Sequence, residues 1–257
     1  MVYVSRLVKT IAFVFLTAGC ISYAAADEIK VLSAGAIEPG LKAVAAAFKQ
    51  QTGHATHITF HTAPELKKQM EGEAANLKFD VVIAPPAVIE GFAAANKLAE
   101  TRANVGRVGM GVAVRDGARV PDISNAVAFK RSVLDAESLV FNRASTGLYL
   151  EELLKKTNLY AQVESKTTRY PDGAAVMEHV IKSQGYVIGF GALTEILLYQ
   201  HKGLKLVGPV PPELQNYTTN IAAPLAASKQ QALAQEFVSF LSGPISKPLW
   251  AAAGVTN

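Results

Sequence analysis

Short apolar runs and amphipathic helical stretches alternate along almost the whole chain after residue 26, and this alternation limits its architecture more than any other feature. Ile29–Ser33, Thr56–Phe60, Asp80–Ala84, Ser138–Phe141, 165–170, Val187–Phe190, 204–207 and Ile221–Leu225 read as strands, with Val108–Val114 a longer apolar run. Helical spacing predicts helices over Pro39–Gln51, Pro64–Gly72, Pro86–Asn96, 125–134, 147–157, 173–183 and 194–200, then Lys229–Leu241 and Ile245–Ala252. In the first of these, Leu41, Val44, Ala45 and Phe48 share one face, and Gly53 stands where a terminating glycine belongs. Strands separated by helices of about ten residues predict an α/β fold, with mainly parallel sheets flanked by helices.

One sheet holding all these strands is large for 257 residues, and two smaller lobes fit better. The turn-rich stretch Arg115–Pro121 and the proline-rich stretch Gly208–Tyr217 mark two crossings between lobes. The expected division is therefore 27–113 with 220–257 in lobe 1, and 114–219 in lobe 2. Ligands of open α/β sheets bind at the carboxyl ends of strands. With two lobes those ends can face each other, and closure becomes a hinge motion.

Residues 1–26 read as a signal peptide. Arg6 and Lys9 precede the apolar run Thr10–Ile21, and Ala24 and Ala26 form a small-x-small cleavage pattern before Asp27. The apolar run falls short of the roughly 20 residues that span a bilayer. Leu16–Cys20 is a loose match to a lipoprotein box, but Thr17 stands where leucine is usual, so soluble export to the periplasm is the expectation. Cys20 is the sole cysteine, so a processed chain has no disulfide and depends on its core. The formal net charge of +4 is scattered without a basic block, which excludes a nucleic-acid partner. No phosphate loop or cofactor motif is present, and His54, His57 and His61 lack the spacing of a metal set. No cofactor, no metal and a monomeric chain are therefore expected.

Five loops after strands are small or hydroxylic: Ser33–Ala36, His61–Pro64, Arg143–Gly147, Tyr170–Gly173 and Gly191–Glu195. Each leads into a helix, whose first amides lack intrahelical partners and carry partial positive charge, so such an end attracts anions. Small residues also let the backbone approach a ligand. The candidate ligand-binding set is Ser33, Ala34, Gly35, Ala36, Thr62, Ala63, Arg143, Ser145, Thr146, Gly147, Gly173 and Thr194. Arg143 is the candidate charge partner; its alternative is a solvent-facing arginine. Any one loop is equally explained by an ordinary helix cap or by tight strand–helix packing. Their recurrence favours an anion cleft.

Several motifs resemble one family. Ile29-Lys-Val-Leu-Ser-Ala-Gly-Ala-Ile37 with Phe48–Gly53, then Phe79–Ala84, Pro121–Asn125 with Ala128–Lys130, Ser145–Tyr149, Ile188–Phe190, Leu193–Glu195 and Phe237–Leu241 are similar to periplasmic solute-binding proteins of the molybdate-binding type. The resemblance implies a type II periplasmic binding fold, a small anionic ligand held between two lobes, and an ABC transporter permease as partner. Ala36 stands where molybdate binders place a serine, their serine-rich second loop is thinned to Thr62-Ala63-Pro64, and their tyrosine near Gly191 is missing. These losses point to an organic carboxylate rather than molybdate. The same branch includes aconitate isomerase, which implies an alternative: an isomerase on this scaffold. His61, Glu195 and Glu38 are then the candidates for its base.

Overall fold

Two parallel sheet segments are joined through a pair of long antiparallel strands. The computed structural model describes residues 27–71 and 77–256. The expected signal peptide, Cys20 and the expected helix end at Gly72 lie outside them. In the first segment β1 (Glu28–Ala34) pairs in parallel with β2 (Ala55–His61) on one edge and β3 (Val81–Ala84) on the other, with Val31 facing Ile58 and Val81. The connections are α1 (Glu38–Thr52) and α2 (Ala63–Gln69), and α3 (Pro86–Ala94) follows β3. Gly53 ends α1 in the left-handed region at φ 81°, which a glycine adopts without cost.

β4 (Ala103–Arg115) then carries the chain across. Its first half, Ala103 to Gly109, pairs antiparallel with β9 (Tyr217–Pro224). Its second half, Met110 to Arg115, pairs with β7 (Val187–Ala192) and β8 (Leu204–Pro209). After α4 (Ala126–Asp135), the second segment places β5 (Ser138–Asn142) between β7 and β6 (Thr167–Tyr170), all parallel. Its connections are α5 (Ser145–Lys156) with the short α6 (Tyr160–Val163), then α7 (Gly173–Lys182), and α8 (Leu193–Tyr199) follows β7. The strand order is β2-β1-β3-β9-β4-β7-β5-β6, with β8 on β4. Two final helices, α9 (Gln231–Leu241) and α10 (Ser246–Ala252), return to the first segment, where Trp250 lies over Gly40 of α1.

The period of two in the strands explains the cores. Val31 points to a cluster with Phe48, Phe237 and Trp250, whereas its neighbour Leu32 joins Leu66, Val82 and Phe92 on the opposite face. In the second segment Phe141 joins Val112, Phe129 and Phe190, and Val140 joins Met177, Val180 and Ile196. The expected α/β elements are present with three differences. β4 starts at Ala103 and β9 at Tyr217, earlier than their apolar runs, because Asn104–Gly109 and Tyr217–Ile221 complete each other's ladder despite their polar residues. β7 runs through Gly191 and Ala192, which pair with Gly111 and Met110, so those two residues are strand rather than loop. Glu164–Lys166 forms a 3-10 turn ahead of β6. No helix among the described residues is long and apolar enough to cross a membrane.

Phe48 and Phe237 meet edge to face at 5.0 Å, both fully buried, and tie α1 to α9. Phe237→Ala is expected to cost about 3–5 kcal/mol, read as a lowered urea midpoint with an unchanged slope.

Candidate functional site

The carboxyl ends of both parallel segments open onto one cavity of about 560 Å³. From the first segment, β1 brings Ala34 and the turn after it Gly35 and Ala36; β2 brings Phe60 and His61, with Thr62 and Ala63 leading into α2; and Pro85 follows β3. From the second, β5 brings Asn142 and the start of α5 brings Ala144, Ser145 and Thr146. Asp172, Gly173 and Ala174 stand at the start of α7. The helices contribute Glu38 and Lys42 from α1 and Glu195 and Tyr199 from α8, and the crossing strand β9 adds Thr218 and Asn220.

Two helix ends supply free donors. α5 begins without a side-chain cap, and no bond from the Ser145 or Thr146 amide is formed among the described residues. The Asn142 side chain organises this loop: its Oδ1 accepts from the amides of Ala144 at 3.1 Å and Gly147 at 3.0 Å, which turns the Nδ2 donor the other way. Arg169 supports the same loop, pairing with Glu151 and donating to the Asn142 carbonyl at 3.2 Å. At α7, Asp172 caps the amide of Ala175 at 2.9 Å and leaves those of Gly173 and Ala174 without partners among the described residues. Asn220 is fully buried on the cavity wall; its Nδ2 donates to the Thr218 carbonyl at 3.4 Å and its Oδ1 has no partner among the described residues. A buried oxygen left this way gives up its hydration without a replacement partner, at a cost of about 1–3 kcal/mol.

Four carboxyls share this wall. Glu38 pairs with Lys42 at 2.5 Å, and Glu65 lies 3.5 Å from the His61 ring. Glu65 also accepts from the amide and the hydroxyl of Thr62, both at 3.2 Å, and the amide bond holds its carboxyl below the usual range. Glu195 has no basic partner within the described ion pairs. It accepts one bond, from the Ala192 amide at 3.3 Å, and its carboxyl lies against Gly173 so closely that a Cβ there would overlap it. Enclosure by protein, reinforced by the charges of Asp172 and Glu38, pushes Glu195 up to about 7 against the opposing Ala192 bond.

Of the residues singled out in the sequence, Ala34, Gly35, Ala36, Thr62, Ala63, Ser145, Thr146 and Gly173 line the cavity, and so do His61, Glu195 and Glu38. Ser33, Arg143, Gly147 and Thr194 do not. Ser33 is fully buried and gives its hydroxyl to the Ala34 carbonyl at 3.2 Å. Thr194 is equally buried and donates to the Ala36 carbonyl, tying α8 to the turn after β1. Gly147 is small because a Cβ would overlap the Asn142 carbonyl. Arg143 is exposed, with its amide on the Tyr170 carbonyl at 2.8 Å. Sequence reasoning missed Asn142, Asp172 and Asn220. The position of Asn142 at the last residue of a strand was the available signal, hidden because the apolar run stops at Phe141.

The raised Glu195 gives a signed expectation. Its carboxyl binds a proton more tightly in the folded chain, so its contribution to stability is complete below the ordinary value of 4.5 and is lost as pH rises through about 7. Glu195→Gln keeps an acceptor for the Ala192 amide without the charge. The variant is expected to match the parent near pH 4.5 and to exceed it by about 3 kcal/mol at pH 8, in denaturant titrations across that range.

Comparison with known proteins agrees with this architecture. A family model described as bacterial extracellular solute-binding protein matches residues 29–256. An aconitate isomerase from a Pseudomonas species is 27% identical over 220 residues, which cover 83% of this chain and 82% of that protein. The periplasmic molybdate-binding protein of Azotobacter vinelandii superposes with a TM-score of 0.71 at 18% identity, over 89% of this chain and 99% of that one. The sulfate-binding protein of Mycobacterium tuberculosis gives 0.70 at 17%, over 89% and 86%. The fold is thus the two-lobed type II periplasmic binding architecture, and the chain belongs to the family of bacterial extracellular solute-binding proteins.

Proposed function

We propose that this protein captures a small organic carboxylate in its interlobe cavity, in the periplasm, after loss of residues 1–26, and passes it as a monomer to an ABC transporter permease. Residues 27–113 with 220–257 form one lobe in this reading and 114–219 the other. The observation that carries it is the meeting of unpartnered amides from α5 and α7 with the small turn Ala34–Ala36 across one cavity. Paired amides suit the two oxygens of a carboxylate.

Hydroxyl use favours a carboxylate over a tetrahedral inorganic ion. Ser33 and Thr194 spend their hydroxyls on carbonyls and Thr62 spends its on Glu65, while Ala36 has none. Ser145 and Thr146 remain on the wall. The cavity volume also falls within the range of organic-ligand pockets, about 300–1,000 Å³. The wall residues Ala34, Gly35, Ala36, Thr62, Ala63, Ser145, Thr146 and Gly173 make the ligand contacts in this reading. Ser33, Gly147 and Thr194 support them from behind.

One observation favours a second reading, an isomerase that moves a proton within an unsaturated carboxylate. Glu195 stands on the cavity wall with a proton affinity suited to general acid–base work near neutrality, and the curated relative is an aconitate isomerase. Thermal shift against citrate, both aconitates, sulfate and molybdate separates the ligand classes: stabilisation by a carboxylate but neither inorganic ion supports capture of an organic anion, and the reverse refutes it. Prolonged incubation with trans-aconitate, followed by separation of the isomers, then distinguishes binder from enzyme; a binder leaves the trans form unchanged. Arg143→Ala is expected to alter the measured affinity by no more than about twofold, as for a surface residue away from the site.

A further inference from the structure

We propose that Glu195 is a proton-binding site coupled to the cleft, so that an anion and a proton are taken up together. The inference rests on the anion-capture reading and adds a regulation of the same site. Its geometry is an apparent contradiction. A cavity edged by unpartnered amides of α5 and α7 invites negative charge, yet Glu195 occupies its wall beside the first residue of α7. As a carboxylate, Glu195 competes with the guest for that positive helix end and repels it. As a neutral acid it gains an O–H that can donate to a guest carboxylate, and the repulsion ends.

The surroundings leave Glu195 as the group that gives way. Among the ionisable groups around it, Lys42 is engaged by Glu38, His61 by Glu65, and Lys202 lies over the Tyr199 ring at 4.5 Å. Asp172 is held to the Ala175 amide as the cap of α7. β7, the strand before α8, carries no ionisable residue between Val187 and Ala192. The carboxyl of Glu195 therefore has one backbone donor and two negative neighbours, Asp172 and Glu38. Enclosure by protein raises its proton affinity, those two charges add to the rise against the opposing Ala192 bond, and an anion seated beside it raises the affinity again. The proton comes from solvent as the anion enters, and returns as it leaves.

The location adds a mechanical element. One residue before Glu195, Thr194 is bonded to the Ala36 carbonyl, while Glu195 itself abuts Gly173. α8 thus touches the ligand turn of one parallel segment and the first helix residue of the other. Loss of the proton places charge where the two sides meet.

The test is calorimetric titration of the processed protein with trans-aconitate, a probe that stays fully ionised across the range used. At pH 7.5, titrations in buffers of different ionisation enthalpy are expected to show uptake of about half a proton or more per anion bound. Affinity is expected to fall by up to about tenfold per pH unit above pH 7. Glu195→Gln is expected to abolish both the uptake and the pH dependence. Asp172→Asn, which retains a helix cap, is expected to move the midpoint to lower pH by removing one repelling charge. Binding without proton uptake and with flat affinity overturns the coupling but leaves anion capture standing, and so does uptake that persists in Glu195→Gln. No binding of trans-aconitate at any pH overturns the carboxylate reading itself, and the coupling with it.

Discussion

The shared strand β4 is the constraint on which the rest of the molecule depends. The backbone groups of a buried strand need hydrogen-bond partners, and β4 finds them by changing neighbours along its length. Ala103–Gly109 completes its ladder with β9, whereas Met110–Arg115 completes its own with β7 and β8. That change of partners joins two parallel segments into one strand order and sets their carboxyl ends around a common cavity. The helices then follow from the sheets, each covering a strand face through alternate residues such as Val31 and Leu32.

The cavity's chemistry is a balance between backbone charge and side-chain charge. The starts of α5 and α7 offer amides that the helices cannot satisfy. Full positive charge on the wall is largely engaged, since Lys42 is bound to Glu38 and Lys202 lies over the Tyr199 ring. Backbone dipoles therefore carry more of the attraction than in a site built around a free arginine. A site of that kind is sensitive to any uncompensated carboxyl beside it, and Glu195 is such a carboxyl.

Much of this was legible from the residues in order. The alternation of apolar runs and amphipathic stretches identified the strands and most helices; Gly53 marked the end of α1, and Pro64 lies one residue inside the start of α2, which begins at Ala63. The loops leaving β1, β2, β5 and β6 were recognisable by their small and hydroxylic residues, and part of each lies on the cavity. Residues 103–107 and 217–220 were not legible as strand, because they pair with each other across more than a hundred residues and carry polar side chains. Asn142 was overlooked because a polar residue closing an apolar strand resembles the first residue of a loop.

Local order in the sequence determined the type of each element and the composition of each loop, since period, capping and glycine placement act within a few residues. Tertiary structure decided which of those groups stayed available. Ser33 and Thr194 have the same hydroxyl chemistry as Ser145 and Thr146, yet burial against carbonyls consumed the first pair and left the second on the wall. Arg143 and Arg169 are equally basic, but only Arg169 folds inward to hold the loop after β5. Glu195 holds its proton first because the fold encloses it, and then because Asp172 and Glu38, distant in the chain, stand near it in space. Hydrogen bonding and charge depend on distance in space, and chain order does not encode that distance directly.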